Sequence, residues 1–209
     1  MTTRDFDDPG TWWPELPDVV GGRDRTADGT WCATRIGTGA TALVVNRPRK
    51  RVADAGAPSR GVLPLLAVEH GADWLSHVGL GGMARFALLL ATPHGVTTWD
   101  IDGQDLLITE RREGTHMPTS GGPENLKADR HLKAFEESSY PHGWRQLVRS
   151  GTPTDDPAAL VVRHEQDGLV FATVFGELIE APAGRLRLEY SRQPWTRQPW
   201  QTLAVGEAI

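Results

Sequence analysis

The sequence predicts an α+β protein in which strands and helices are segregated along the chain. Three observations predict it: short apolar runs separated by turn residues, two charged stretches with helical periodicity, and a closing pair of strand-like runs. Strands and helices that occur in separate groups are typical of antiparallel sheets with helices packed on their faces. We therefore expect antiparallel sheet with helices on its faces.

The first convincing strands are predicted over residues 31–36 and 40–46. They flank Gly37-Thr38-Gly39, so we expect a hairpin. The thirty residues before them are punctuated by glycine pairs and prolines and are interpreted as loop. Residues 47–60, which are rich in arginine and lysine, predict an exposed cationic loop. Two interpretations of that loop stay open, a solvated surface and a rim that faces an anion.

Helical and strand patterns alternate in the middle of the chain. Apolar residues between Leu63 and Val78 predict one or two short helices with a break near Gly71. Three short apolar runs follow, at residues 85–92, 96–101 and 106–110. The turn residues between these runs predict a meander of antiparallel strands.

The remaining elements complete the expected order. Residues 124–137 and 144–149 have the charge and apolar spacing of two amphipathic helices. Residues 160–164 are ambiguous. Residues 169–180 and 185–191 flank Ala181-Pro182-Ala183-Gly184 and predict a second hairpin. We expect residues 1–209 to form a single domain.

Composition excludes several classes of protein. The chain has 209 residues, of which 39% are hydrophobic, and this is enough for one substantial core. Its net charge of −5 argues against nucleic acid as a partner, because phosphate binding needs clustered cations. No apolar run approaches the ~18 residues of a membrane span. The single cysteine, Cys32, predicts a reducing compartment, so we expect a cytoplasmic location.

The common nucleotide, zinc-protease and lipase motifs are absent from the sequence. The seven histidines are scattered, so we expect neither a metal site nor a cofactor. Cys32 is interpreted as a small buried hydrophobic residue in a strand. No general catalytic signature therefore identifies the chemistry.

An ordered series of short motifs carries more information. Its members are Arg4-Asp5, Trp12-Trp13-Pro14, Gly22-Arg23-Asp24, Gly29-Thr30-Trp31, Val45-Asn46-Arg47, Pro58-Ser59-Arg60-Gly61 and Ala87-Leu88-Leu89-Leu90. In order and spacing the series resembles the NRDE protein family, which includes transport and Golgi organisation protein 2. The likeness covers about residues 4–135. Arg4-Asp5 match the centre of N-R-D-E, whereas the family's preceding Met-Cys strand has no counterpart.

The resemblance implies an N-terminal-nucleophile (Ntn) hydrolase-like fold, an αββα sandwich of two mainly antiparallel sheets flanked by helices. In that fold the first residue after the initiator methionine attacks a carbonyl, and its own α-amine accepts the proton. The resemblance therefore implies hydrolysis of an amide or another acyl bond by an N-terminal cysteine. Thr2 is a poor substitute, because it lies only two positions before the Arg4-Asp5 pair.

Three residues are the candidate catalytic residues by this resemblance. Arg4 would orient a substrate carboxylate or keep the surroundings of a thiolate cationic. Asp5 would accept a hydrogen bond from the α-ammonium group, and Asn46 would donate its side-chain amide to an oxyanion. The structural alternatives are a surface ion pair for Arg4 and Asp5 and a turn-forming role for Asn46.

Two explanations of the missing cysteine compete. Either the start is assigned downstream of the true one, which we favour because Arg4-Asp5 is retained, or the protein is a degenerate member that keeps the pocket for binding. The alternative function is non-enzymatic binding or trafficking of a small molecule, haem or lipid in related proteins. We expect a small-molecule ligand or substrate; neither its identity nor the oligomeric state can be read from the sequence.

Overall fold

A computed structural model describes residues 5–47, 56–77, 80, 82–102, 105–121, 125–151 and 153–205. Its strands are β1 Phe6–Gly10, β2 Val19–Asp24, β3 Cys32–Arg35, β4 Ala40–Asn46, β5 Phe86–Thr92, β6 Gly95–Asp102, β7 Asp105–Arg111, β8 Arg163–Gln166, β9 Leu169–Ala172, β10 Gly176–Glu180, β11 Leu186–Ser191 and β12 Gln201–Val205. Its α-helices are α1 Leu63–His70, α2 Leu126–Glu136 and α3 His142–Ser150.

The expected α+β class is confirmed. A seven-stranded sheet runs in sequence order from β1 to β7, and each pair of neighbouring strands in it is antiparallel. A three-stranded sheet has the order β10-β11-β12, and β8 pairs with β9. The finer αββα arrangement stays a prediction, as does the extent of the single domain.

The chain divides into two compact units. The first comprises Arg4–Glu113, Ala181–Leu186 and Val205–Ile209. In it α1 packs against β3, β4 and β5, and the apolar side chains between them form a buried core. The first five residues of β5, Phe86 to Leu90, are buried irrespective of which face they occupy, so this strand is covered on both sides. The predicted hairpin, the helix and the meander are all present in this unit.

Two strands that sequence reasoning missed precede the predicted hairpin. β1 and β2 lie in the stretch interpreted as loop. That interpretation follows from the low intrinsic strand propensity of Asp7, Pro9 and the Gly21-Gly22 pair. Tertiary packing overrides that propensity, since Val19 and Val20 are completely or almost completely buried. β1 is the outer strand of the sheet at this side, where Pro9 is tolerated.

The second unit comprises Met1–Thr3, Gly114–Glu180 and Arg187–Ala204. The two helices expected there are present as α2 and α3, and the Asn125 side chain caps α2 by accepting a hydrogen bond from the Lys127 amide at 2.7 Å. The expected continuous strand over 169–180 is wrong. It is broken between β9 and β10, and only β10 pairs with β11.

Within the described ranges, no helix is both long enough and apolar enough to cross a bilayer.

Candidate functional site

Most of the sequence motifs meet at one end of the seven-stranded sheet. There β1 begins, β2 ends, β3 begins, β4 ends and β5 begins, because successive strands are antiparallel. The cross-strand partners at this end include Phe6 with Asp24 and Asn46 with Phe86. We call this region the motif end of the sheet. It brings together segments that are up to eighty residues apart in sequence.

Two motif glycines touch through their backbones at the motif end. A Cβ placed on Gly29 would lie only 2.5 Å from the carbonyl carbon of Gly61. The Thr30 amide donates a hydrogen bond of 2.8 Å to the Gly61 carbonyl beside this contact. The segment before β3 is thereby fixed to the short 3₁₀ helix Arg60–Val62, which leads into α1. A side chain at Gly29 would force the two segments apart, and one at Gly61 would need a smaller shift.

Motif tryptophans fill the space around these backbones. The ring of Trp31 lies so close to Gly22 that a Cβ there would be 2.3 Å from the ring, and Phe6 packs edge-on against Trp31 with ring centroids 5.6 Å apart. Trp13 is buried, and its indole nitrogen donates to the Asp28 carbonyl at 3.0 Å. The glycine and tryptophan positions of the motifs are thus explained by packing.

A buried carboxylate, Asp7, is held by two arginines of the neighbouring strand and turn. Arg23 donates to one carboxylate oxygen at 2.9 and 2.7 Å, and Arg25 donates to the other, with its Nε at 2.8 Å. Hydrogen bonds from Arg25 and then Arg23 lower the pKa of Asp7. Arg23 also lies over the ring of Trp12, with its guanidinium carbon 4.8 Å from the ring centroid. The cluster anchors β1, and only its Trp12 and Arg23 belong to the motifs.

Asn46 is the last residue of β4 and its side chain is exposed. The next residue, Arg47, crosses to β6 and donates to Asp100, with its Nε 3.1 Å from the carboxylate. Arg60 donates to the Arg85 carbonyl at 2.8 Å, one residue before the cross-strand partner of Asn46. Most of the expected cationic loop, residues 48–55, lies outside the described residues.

The three predicted site residues have different outcomes. Arg4 lies outside the described residues. Asp5 is exposed at the start of β1, and its carbonyl accepts a 3.1 Å hydrogen bond from the Arg25 amide. Asn46 lies at the same end of the sheet, but β2 and β3 intervene, so the two strands are about 14 Å apart. Asp5 and Asn46 thus share the motif end without contacting each other.

Cys32 is buried in β3, with 8% of its surface exposed. The Thr30 hydroxyl donates to the Cys32 carbonyl at 2.7 Å and accepts from the Cys32 amide at 3.2 Å, so the backbone of this residue is fixed. Among the residues that the structure describes, no three His, Cys, Asp or Glu side chains converge as a metal site. The motif end offers carboxylate, amide and guanidinium groups.

A cavity of about 360 Å³ lies in the second unit. Its walls are mainly apolar, and Arg163, Arg192 and Gln193 add polar groups. The apolar wall is contributed by Pro153, Val161, Val162, Ala172, Val174 and Trp195. None of the lining residues is a His, Cys, Met or Tyr, the side chains that ligate haem iron. The cavity has the size and chemistry of a site for a small apolar ligand.

Comparison with known proteins was informative for the first unit. Residues 4–113 match the family model described as Transport and Golgi organisation 2. The match covers the main segment of the first compact unit and includes every motif of the motif end. A search of curated proteins returned no match.

Proposed function

The chain belongs to the Transport and Golgi organisation 2 family, and on this premise we propose that it hydrolyses an amide or another acyl bond by the N-terminal-nucleophile mechanism. One observation carries the proposal. At the end of the sheet where buried motif residues fix the backbone, Asp5 and Asn46 are exposed. Packing accounts for the buried motif residues but does not require a carboxylate or an amide at these two positions.

The roles follow from the chemistry of the exposed groups. The side-chain amide of Asn46 would donate a hydrogen bond to the oxyanion that forms when a carbonyl is attacked. The carboxylate of Asp5 would accept a hydrogen bond from the α-ammonium group of the nucleophilic residue.

The nucleophile is assigned to a residue outside the described ranges. Cys32 is buried within the sheet, and burial in apolar surroundings disfavours the reactive thiolate. The family mechanism requires a cysteine on a strand that precedes Arg4-Asp5. The coding sequence upstream of Met1 tests this directly: an in-frame Met-Cys strand there would supply the nucleophile, and its absence would rule out the family mechanism.

The decisive experiment compares the chain that carries this upstream strand with its Cys→Ala variant. An acylating probe should label the N-terminal cysteine and leave Cys32 unlabelled, as located by mass spectrometry. A panel of p-nitroanilides and p-nitrophenyl esters then measures turnover. Labelling of Cys32 alone, or equal turnover by the Cys→Ala variant, would rule out the mechanism.

The role of Asn46 is tested by Asn46→Ala in the active chain. Loss of one oxyanion donor lowers kcat by about 10²–10³-fold. His94→Ala is the matched control, because His94 is also exposed but lies in the β5–β6 turn at the opposite end of the sheet. Equal effects of the two substitutions would remove Asn46 from the mechanism.

Non-enzymatic binding of a small molecule is the second candidate, and the cavity of the second unit favours it. Its apolar walls and two arginines suit a compact ligand that has an apolar body and one anionic group. Titration with 1-anilinonaphthalene-8-sulfonate should give a saturable fluorescence increase, and Ala172→Leu, which narrows the cavity, should weaken the binding. Haem bound in this cavity should give no Soret shift, because the lining has no side chain that ligates iron. A saturable Soret shift that is lost when one histidine is replaced would place haem at another site.

A further inference from the structure

The outer edge of β7 is unusually apolar. β7 is the last strand of the seven-stranded sheet, and no described strand pairs with its outer side. Three consecutive residues are exposed on it, Leu106 at 37%, Leu107 at 65% and Ile108 at 47%. Because side chains alternate along a strand, these residues make both faces of the strand apolar next to the open edge.

Ordinary edge strands are protected against pairing by charge, proline, bulges or short length. β7 lacks these devices at its centre. Its register with β6 is continuous from Val96 opposite Arg111 to Asp102 opposite Asp105, so no bulge twists the edge away. The backbone groups on its outer side therefore form a regular template for another strand.

We propose that β7 pairs antiparallel with β7 of a second copy of this chain, about a two-fold axis at Leu107. A two-fold axis between antiparallel strands passes through one residue position, because outward-pointing backbone groups alternate along the strand. With the axis at Leu107, Leu107 of one copy lies opposite Leu107 of the other, and Leu106 of each copy lies opposite Ile108 of the other. All three exposed apolar residues then have apolar partners.

Other axes fit less well. An axis at Ile108 would place Leu106 opposite the exposed Glu110, and Leu107 opposite Thr109. Cross-strand apolar pairs stabilise a sheet, whereas an apolar residue opposite a carboxylate gains little. Self-pairing at Leu107 is self-complementary, because it gives each of the three exposed apolar residues an apolar partner, and this selects a second copy as the occupant of the edge.

The size of the contact sets the expected affinity. The ladder would run from residue 105 to residue 109, about 17 Å at the rise of an antiparallel strand. A contact made by one strand buries less than the ~800 Å² per partner of a standard interface. The dimer is therefore reversible and forms with increasing concentration.

Sedimentation equilibrium of the wild-type chain between about 1 and 200 μM covers the range of such an affinity. Leu107→Lys places two like charges opposite each other and should raise the dissociation constant at least about 100-fold. Leu126→Lys is the matched control, because Leu126 is 66% exposed but lies on α2. Circular dichroism verifies that both variants remain folded.

Disulfide trapping then tests the register in a Cys32→Ala background. Leu107→Cys should give a covalent dimer on oxidation with diamide, because directly opposed Cα atoms lie about 4.5–5.5 Å apart, within the range that a disulfide spans. Ile108→Cys should crosslink poorly, since it faces position 106. A wild-type chain that stays monomeric at 200 μM, equal effects of Leu107→Lys and Leu126→Lys, or preferential crosslinking through Ile108→Cys would each overturn the proposal.

Discussion

Replacing Gly29 by alanine tests the backbone contact that holds the motif end of the sheet together. The new Cβ would lie 2.5, 2.7 and 2.8 Å from the carbonyl carbon, oxygen and Cα of Gly61. These are backbone atoms, which cannot rotate away as a flexible side chain can. One of the two segments must therefore move, and the 2.8 Å hydrogen bond from the Thr30 amide to Gly61 would be strained.

The magnitude combines two opposing effects. Forcing an extra carbon into a packed site costs about 1–3 kcal/mol. Alanine also restricts the unfolded chain, which stabilises the folded state by about 0.4–1 kcal/mol where the backbone conformation suits it. Gly29 has no left-handed φ, so that gain applies. We expect a net loss of about 1–2 kcal/mol, or about 2–8 °C in Tm for a chain of this length.

Two other glycines provide graded controls. At Gly61 the nearest atom to a new Cβ is the Thr30 nitrogen at 3.2 Å, so Gly61→Ala should cost less than Gly29→Ala. At the exposed Gly37 the nearest atom is an Asp18 carboxylate oxygen at 3.3 Å, which can move. Gly37→Ala should leave stability unchanged or raise it by up to about 1 kcal/mol.

Thermal and urea unfolding of the four proteins, followed by far-UV circular dichroism, measures the order. The expected stability decreases from Gly37→Ala through Gly61→Ala to Gly29→Ala. A Gly29→Ala variant as stable as Gly37→Ala would show that the two segments separate at no cost. It would also refute the conclusion that packing explains the glycines of the motifs.

Three further experiments have defined outcomes. The pKa of Asp7 is lowered in the folded state, so its ionised form stabilises the fold above pH ~4, and this contribution is lost as the pH falls through the folded-state pKa. Asp7→Asn should therefore lower the urea midpoint at pH 7. The difference in urea midpoint from the wild type should narrow below pH ~4. Arg47→Met and Asp100→Asn should each destabilise the chain, and a double-mutant cycle should give a coupling of about 0.5–3 kcal/mol, whereas additive effects would contradict the ion pair. Leu88→Ala, at a completely buried position of β5, should lower the free energy of unfolding by about 2.7–5 kcal/mol, and a loss below 1 kcal/mol would contradict the core assignment.

Local signals predicted much of the fold. The hairpin β3–β4 and the meander β5–β7 are each marked by turn residues between apolar runs. Gly71 ends α1 with a φ of +78°, a conformation that glycine adopts readily, so the break expected there has a direct cause. These elements were predictable because each strand, turn or helix end is specified by residues that are adjacent in sequence.

The errors occurred where distant partners decide the structure. β1 and β2 have weak propensity and are strands because they pair with each other and with β3. The break between β9 and β10 depends on different partners for the two strands, β8 for one and β11 for the other. A run such as residues 169–180 carries no local signal of that change.

The candidate site was predictable to a different degree. Asn46 was identified at the end of a strand, and the structure places it there. The Asp7 cluster was missed, because Arg23 and Arg25 lie 16 and 18 residues away in sequence and reach Asp7 only through the β1–β2 register. Charge partners across strands need a register that composition and local pattern do not provide.

The motif end separates two kinds of motif residue, and this separation shows how the proposed chemistry can be tested. The closely packed members, such as Gly29, Gly61 and Trp13, are required by packing whether or not the protein has any activity. Asp5 and Asn46 are exposed, so replacing them should change the free energy of unfolding by no more than ~0.5 kcal/mol. A loss of turnover at unchanged stability would therefore report on chemistry alone, whereas a loss of stability at either position would assign that residue to the scaffold.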